Sequence, residues 1–208
     1  MRHKYMPLGP YGANCTILWD EDGAALVVDP GAEPDVVAAS LSSLSLEMKA
    51  IFLTHGHFDH VSGVADLVAS KPVPVFMHAD DEEMAYLPLN FSQPGYSGMP
   101  RIDSLVLFRD GEKPLSDLFP RIDVMHTPGH SAGSCCLYLP DDGLLVAGDT
   151  LFAGSIGRTD LPGGSYRRIM ESLKALCALP PETSVICGHG PATTIEREIR
   201  TNPFLADD

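Results

Sequence analysis

Apolar runs at 15–19 and 24–28 flank the polar stretch Asp20-Glu21-Asp22-Gly23, a pattern that predicts a β-hairpin. Pro34 then opens a segment with Val37, Leu41 and Leu44 at i, i+4 and i+7, the spacing of an amphipathic helix. The continuous apolar run at 50–53 predicts a buried strand, and Val61, Val64 and Val68 mark a second helix. Residues 73–77 read as a strand interrupted by Pro74, which places it at a sheet edge. From Leu87 to Pro100, with prolines and glycines inside, the chain reads as a long loop, a feature often tied to function in compact domains. Short strands are expected at 105–108, 122–125, 135–139, 144–147 and 185–187. Helices are expected around Ile169, Leu173 and Leu176 and at 195–200. Strands and helices in both halves imply sheets covered by helices. The expected class is α/β (α+β layered), in one continuous domain over 1–208 without internal repeats.

Composition narrows the function. The chain has 208 residues, 14 basic against 28 acidic, for a net charge of −14. Its 44% hydrophobic content supplies a core, and 20% charged content is too low for a disordered polyelectrolyte. A field this acidic repels phosphate backbones and anionic leaflets, and no Lys/Arg-rich run opposes it, so neither nucleic acid nor membrane is an expected partner. No obligate protein partner is inferred. The five cysteines are odd in number and form no paired framework, which fits free thiols in a reducing compartment. Residues 1–10 lack the apolar stretch of a secretory signal, and no segment is long enough to span a bilayer, so the expectation is a cytoplasmic protein.

The chemistry concentrates in histidine. Three of the eight histidines fall in His55-Gly56-His57-Phe58-Asp59-His60, directly after an apolar strand. Imidazole and carboxylate suit zinc or iron, and the loop ending a buried strand is a rigid mount for ligands. His55 and His57 alternate and can chelate one ion, while Asp59 and His60 can serve a second. The pattern of an apolar strand, a glycine and then a ligand recurs at Thr127-Pro128-Gly129-His130, Gly148-Asp149 and Gly188-His189, each glycine permitting close backbone approach.

Together these four segments resemble the metallo-β-lactamase superfamily over nearly the whole chain. The resemblance implies an αββα sandwich with metals at one edge between the sheets. It also implies that His55, His57 and His130 hold one ion, that Asp59, His60 and His189 hold another, and that Asp149 bridges them. Asp149, followed by Thr150-Leu151-Phe152, together with Gly157-Arg158-Thr159-Asp160 and Asn202-Pro203-Phe204-Leu205, resembles the short, single-domain glyoxalase II-like hydrolases. Full-length glyoxalase II carries an extra C-terminal helical segment that helps hold glutathione. Here only about twenty residues follow His189, and the thiol carrier stays open.

The expected activity is that of a binuclear metallohydrolase cleaving a small anionic thioester such as S-lactoylglutathione. Hydroxide shared by two zinc ions would attack the carbonyl, with Asp59 as the catalytic side chain as well as a ligand. Iron or manganese in either site stays open, although an imidazole at His57 tilts the choice toward zinc, since the flavo-diiron branch has a carboxylate there. Arg158 is expected to meet a substrate carboxylate, with an ion pair to Asp160 as its structural alternative; Phe152 and Tyr166 are expected to line the pocket. A mono-iron persulfide dioxygenase and a lactone or ester hydrolase are the competing activities. A purely structural metal module is disfavoured because it needs four ligands and seven are on offer. Cys135 and Cys136, on opposite faces of one strand, are expected to be half-buried thiols and Cys187 a core residue. His126 is either a support to the site or an ordinary loop histidine, and no function is expected of His3 or His78.

Overall fold

In a computed structural model describing residues 1–205, the first strand is one that hydropathy does not announce. β1 (Arg2–Leu8) pairs antiparallel with β2 (Ala13–Trp19) from Arg2↔Trp19 to Leu8↔Ala13. It is an edge strand with residues 2–5 and Pro7 exposed, while Met6 packs against the core and Leu8 is buried in it, so it carries no continuous buried run. β3 (Ala24–Val28) closes the expected hairpin, and α1 (Pro34–Ser43) follows with Pro34 in its first turn. β4 (Glu47–Phe52) lies parallel to β3, in register through Val28↔Phe52.

The expected helix around Val61 to Val68 is two helices, α2 (Phe58–Val61) and α3 (Val64–Ser70). The break has a local cause. The Gly63 N–H leaves the helical ladder and donates to the Pro30 carbonyl at 2.8 Å, so the chain bends to meet the turn after β3. β5 (Val75–His78), α4 (Glu82–Ala85), a 3-10 turn at Pro88–Phe91 and β6 (Leu105–Phe108) complete this part. The sheet order is β1-β2-β3-β4-β5-β6, with β3 to β6 parallel. β5 is therefore internal, and the expectation of an edge is corrected. Pro74 precedes the strand, where no ladder donor is needed, and its carbonyl accepts from Ile51 N at 3.0 Å.

These elements form one compact unit, Met1–Arg109; a second begins at Asp110. In the second, β7 (Asp123–His126), β8 (Cys135–Leu139) and β9 (Leu144–Val146) run antiparallel in sequence, and the short hairpin β10 (Leu151–Phe152) and β11 (Ser155–Ile156) follows. Then come α5 (Tyr166–Cys177), β12 (Ser184–Ile186), β13 (Thr193–Thr194) and α6 (Ile195–Thr201). The order is β13-β12-β9-β8-β7, in which β12 and β9 are parallel. Ser165 and Thr194 cap α5 and α6 through their hydroxyls, and Ile169, Leu173 and Leu176 of α5 bury into a core with Cys136, Leu145 and Val185.

Cys135 and Cys136 are both fully buried rather than half-buried, because both faces of the interior strand β8 are covered. Burial pushes the Cys136 thiol up to about 11 and the Cys187 thiol up to about 12. Among the cysteines Cys177 is the one that is not fully buried. A thiol reagent applied to folded protein at pH 8 is therefore expected to modify Cys177 alone, as read by mass spectrometry, with the other four reacting after denaturation.

Candidate metal centre

In the first unit the candidate ligands sit where parallel strands end. β3 delivers Asp29 and β4 delivers Thr54 and His55, side by side because the strands are in register. Asp29 is fully buried, with a left-handed backbone (φ 51°) that aspartate tolerates better than most residues. Its Oδ1 accepts from Thr54 N at 2.7 Å, and its Oδ2 accepts from Thr54 Oγ1 at 2.6 Å and from His60 Nδ1 at 2.9 Å. Gly31 brings the chain after Asp29 directly onto the His55–His60 loop, since a Cβ there would fall on the Asp59 carbonyl. His57 is the extended residue that precedes α2, and Asp59 and His60 lie within that short helix. The rings of His55 and His57 stand edge to face at 4.8 Å, and those of His55 and His60 lie 4.1 Å apart. The Asp59 Oδ2 is 4.0 Å from His60 Nε2. His55, His57, Asp59 and His60 are all buried.

Hydrogen bonding sets the tautomers. A carboxylate only accepts, so His60 carries its proton on Nδ1 and the lone pair on Nε2. Thr54 has one hydroxyl proton, which Asp29 takes; its oxygen, 3.0 Å from His55 Nδ1, then accepts from that nitrogen, and His55 also keeps its lone pair on Nε2. Asp29 thus orients two histidines, one directly and one through Thr54.

In the second unit, Asp149 and His189 each lie three residues beyond the paired positions Val146↔Ile186 of two adjacent parallel strands. The pairing continues past the strand ends, with Ala147 N donating to Ile186 O at 2.8 Å and Gly188 N to Gly148 O at 2.7 Å. A side chain at Gly188 would collide with the Asp149 carboxylate, so glycine is required for aspartate and histidine to share one spot. His130 arrives on the turn between β7 and β8, held by Thr127 N to Ser134 O at 2.7 Å and tied toward the Asp149 segment by Thr127 Oγ1 and Thr150 Oγ1 at 3.0 Å. His130 Nδ1 donates to the Arg158 carbonyl at 2.8 Å, which again puts the lone pair on Nε2.

The spacing of these groups is that of metal ligands. Asp149 Oδ2 is 3.5 Å from His130 Nε2 and 3.6 Å from His189 Nε2. Two donors bound tetrahedrally at the usual zinc distances are roughly 3.4 Å apart. The Asp149 carboxylate oxygen is thus at ligand spacing from each of two imidazole nitrogens.

The remaining sequence candidates are placed as follows. Phe152 meets His189 ring to ring at 6.1 Å. The Arg158 side chain is well exposed and bound twice to Asp160 at 2.7 Å, which holds the Asp160 carboxyl down at about 2. The Arg158 carbonyl, through His130, is the part tied to the ligand set. Tyr166 is exposed at the start of α5. His126 Nε2 pairs with the Ala132 carbonyl across its own turn, and buried His78 accepts from Asp80 N, so both have structural work. Asp29 and Thr54 are outside the strand-glycine-ligand pattern: Asp29 is marked in the sequence as a lone acid ending an apolar strand just before Pro30-Gly31, and it precedes the glycine rather than following it.

A family model for the metallo-beta-lactamase superfamily matches residues 8–189. The chain belongs to the metallo-β-lactamase superfamily. Hydroxyacylglutathione hydrolase GloC of Haemophilus influenzae is 33% identical over 99% of this chain and 98% of its own length. Two solved structures are similar throughout. BLEG-1, a B3 metallo-beta-lactamase, has a TM-score of 0.90 at 35% identity, covering 99% of this chain and all of that one. TTHA1623 in a di-iron-bound form has a TM-score of 0.86 at 38% identity, covering 97% of this chain and all of that one. The α/β layered class expected from sequence is thus the metallo-β-lactamase fold, and its histidine and aspartate clusters are those of a metal-binding hydrolase superfamily. Among the described residues no helix is long and apolar enough to cross a membrane.

Proposed function

We propose that the two units work as one domain, and that their two clusters together hold a pair of divalent ions in a hydrolase for small anionic thioesters of the S-lactoylglutathione kind. His55, His57 and His130 would hold one ion and Asp59, His60 and His189 the other, with Asp149 shared. The observation that carries this reading is the set of committed tautomers: His55, His60 and His130 each have Nδ1 engaged by a protein oxygen and the lone pair on Nε2. Bound there, two zinc ions would lower the pKa of a water toward neutrality and polarise a carbonyl, so no protein nucleophile is needed.

The chain's own work is orientation. Asp29 and Thr54 would keep His55 and His60 in the ligating tautomer. Asp59 Oδ2 would accept a hydrogen bond from the attacking water as well as serve as a ligand. Phe152, against His189, would wall the acyl side. Arg158 would take a substrate carboxylate by exchanging Asp160 for it, and Tyr166 would flank that position. The activity of GloC supports a glutathione thioester as the substrate class.

The test is a panel of S-lactoylglutathione, a lactone and glutathione persulfide, assayed with enzyme of measured metal content. Two metal equivalents per chain and thiol release from the thioester, abolished by a chelator and restored by zinc, are expected. One iron per chain with oxygen uptake on the persulfide, or turnover of the lactone alone, would overturn the assignment.

A further inference from the structure

We propose that Asn90, in the 3-10 turn Pro88–Phe91 after α4, is a positioning residue for the metal centre: with Asp81 it grips the peptide groups on either side of Gly56 and so sets the positions from which His55 and His57 project. The inference rests on those two histidines being metal ligands.

The geometry is specific. Gly56 N belongs to the peptide that follows His55, and it donates to Asp81 Oδ2 at 2.8 Å. Gly56 O belongs to the peptide that precedes His57, and it accepts from Asn90 Nδ2 at 2.8 Å. Fixing two successive peptide planes fixes the backbone between them. The Cα atoms of His55 and His57, each lying in one of those planes, are then held relative to each other before any ion arrives. Both gripping residues are buried, Asp81 at 0% and Asn90 at 2% exposure. A buried amide or carboxylate is tolerated only when its hydrogen bonds are made, and here those bonds are made to the metal-binding loop.

The orientation of the Asn90 amide is not open to exchange of its nitrogen and oxygen. Nδ2 faces the carbonyls of Gly56, Met84 at 2.9 Å and Ala85 at 3.3 Å, and carbonyls only accept. Met84 and Ala85 end α4, so the same amide ties the end of that short helix to the metal-binding loop. The loop is also seated closely. A Cβ at Gly56 would lie 2.9 Å from the Asp81 carbonyl and 3.0 Å from Ala85 N. The segment from Asp81 to Asn90 is therefore a cradle shaped to the His55-Gly56-His57 turn.

A residue that merely capped α4 would affect melting and nothing else. The experiment compares wild type, Asn90→Ala, Asn90→Ser and the control Leu41→Ala, a core truncation in α1. Each is prepared metal-free, checked by circular dichroism for folding, and titrated with zinc against a chromogenic chelator. In wild type two equivalents bind. In the Asn90 variants the affinity of one equivalent, that of His55 and His57, is expected to fall by about 10- to 100-fold while the other is little changed. Leu41→Ala is expected to melt earlier and keep both affinities. Asn90→Ser retains a short donor and serves if the alanine variant does not fold. Unchanged affinity in a folded Asn90 variant, or an equal loss in Leu41→Ala, overturns the inference. Wild type that binds no zinc overturns instead the reading of the histidines as ligands, and this inference falls with it.

Discussion

Gly188→Ala is expected to yield a folded protein with little bound metal and activity reduced by at least about a thousandfold. The added methyl would occupy the place of the Asp149 carboxylate and press on the Gly148 backbone. Asp149 would have to turn away, and its Oδ2 would no longer sit 3.5 and 3.6 Å from the His130 and His189 nitrogens. Removing a ligand that two ions share costs both of them, so the expected loss exceeds the 10- to 100-fold typical of an outer partner. The strands themselves end before this point, at Val146 and Ile186, so the sheet should survive. Far-ultraviolet circular dichroism together with metal analysis checks this: full metal content with native activity would contradict it.

Asp29→Asn tests the tautomer argument with almost no change of shape. Oδ1 would still accept from Thr54 N, but the group replacing Oδ2 would be a donor facing two donors, Thr54 Oγ1 and His60 Nδ1. The conflict is relieved if His60 moves its proton to Nε2, which takes away the lone pair the metal needs. Thr54, released from Asp29, would no longer be obliged to accept from His55. Zinc affinity is expected to drop by about 10- to 100-fold or more, with the melting temperature of the metal-free protein lowered far less than by loss of a core residue. Asp29→Asn protein that binds zinc as tightly as wild type would show that the carboxylate is not what commits the histidines.

The sequence was most readable where chemistry and local pattern coincide. The strand-then-ligand rhythm at His55, His130, Asp149 and His189 marks the ends of β4, β7, β9 and β12, because a ligand has to sit on a rigid mount and a buried strand announces itself by its apolarity. Less readable were elements whose reason is tertiary. β1 shows no continuous buried run because most of its side chains face water at an edge, and the break between α2 and α3 exists because Gly63 finds Pro30, thirty-three residues earlier. Pro74 suggested an edge strand when it only precedes one that lies inside the sheet. Asp29, Thr54, Asp81 and Asn90 escaped for the same reason. Each acts on a ligand through a contact that register or loop packing creates, and of the four only Asp29 carries a local mark, as an acid ending an apolar strand before Pro30-Gly31.

The central proposal is that the histidines lend their Nε2 atoms to a pair of cations with Asp149 between them. Crystals of zinc-loaded protein, with anomalous data collected above and below the zinc absorption edge, test that most directly. Two peaks are expected, each about 2.0–2.2 Å from imidazole Nε2 atoms, and both in contact with Asp149 Oδ2. A single peak, or ions bound through Nδ1 with Asp149 turned away, would contradict it.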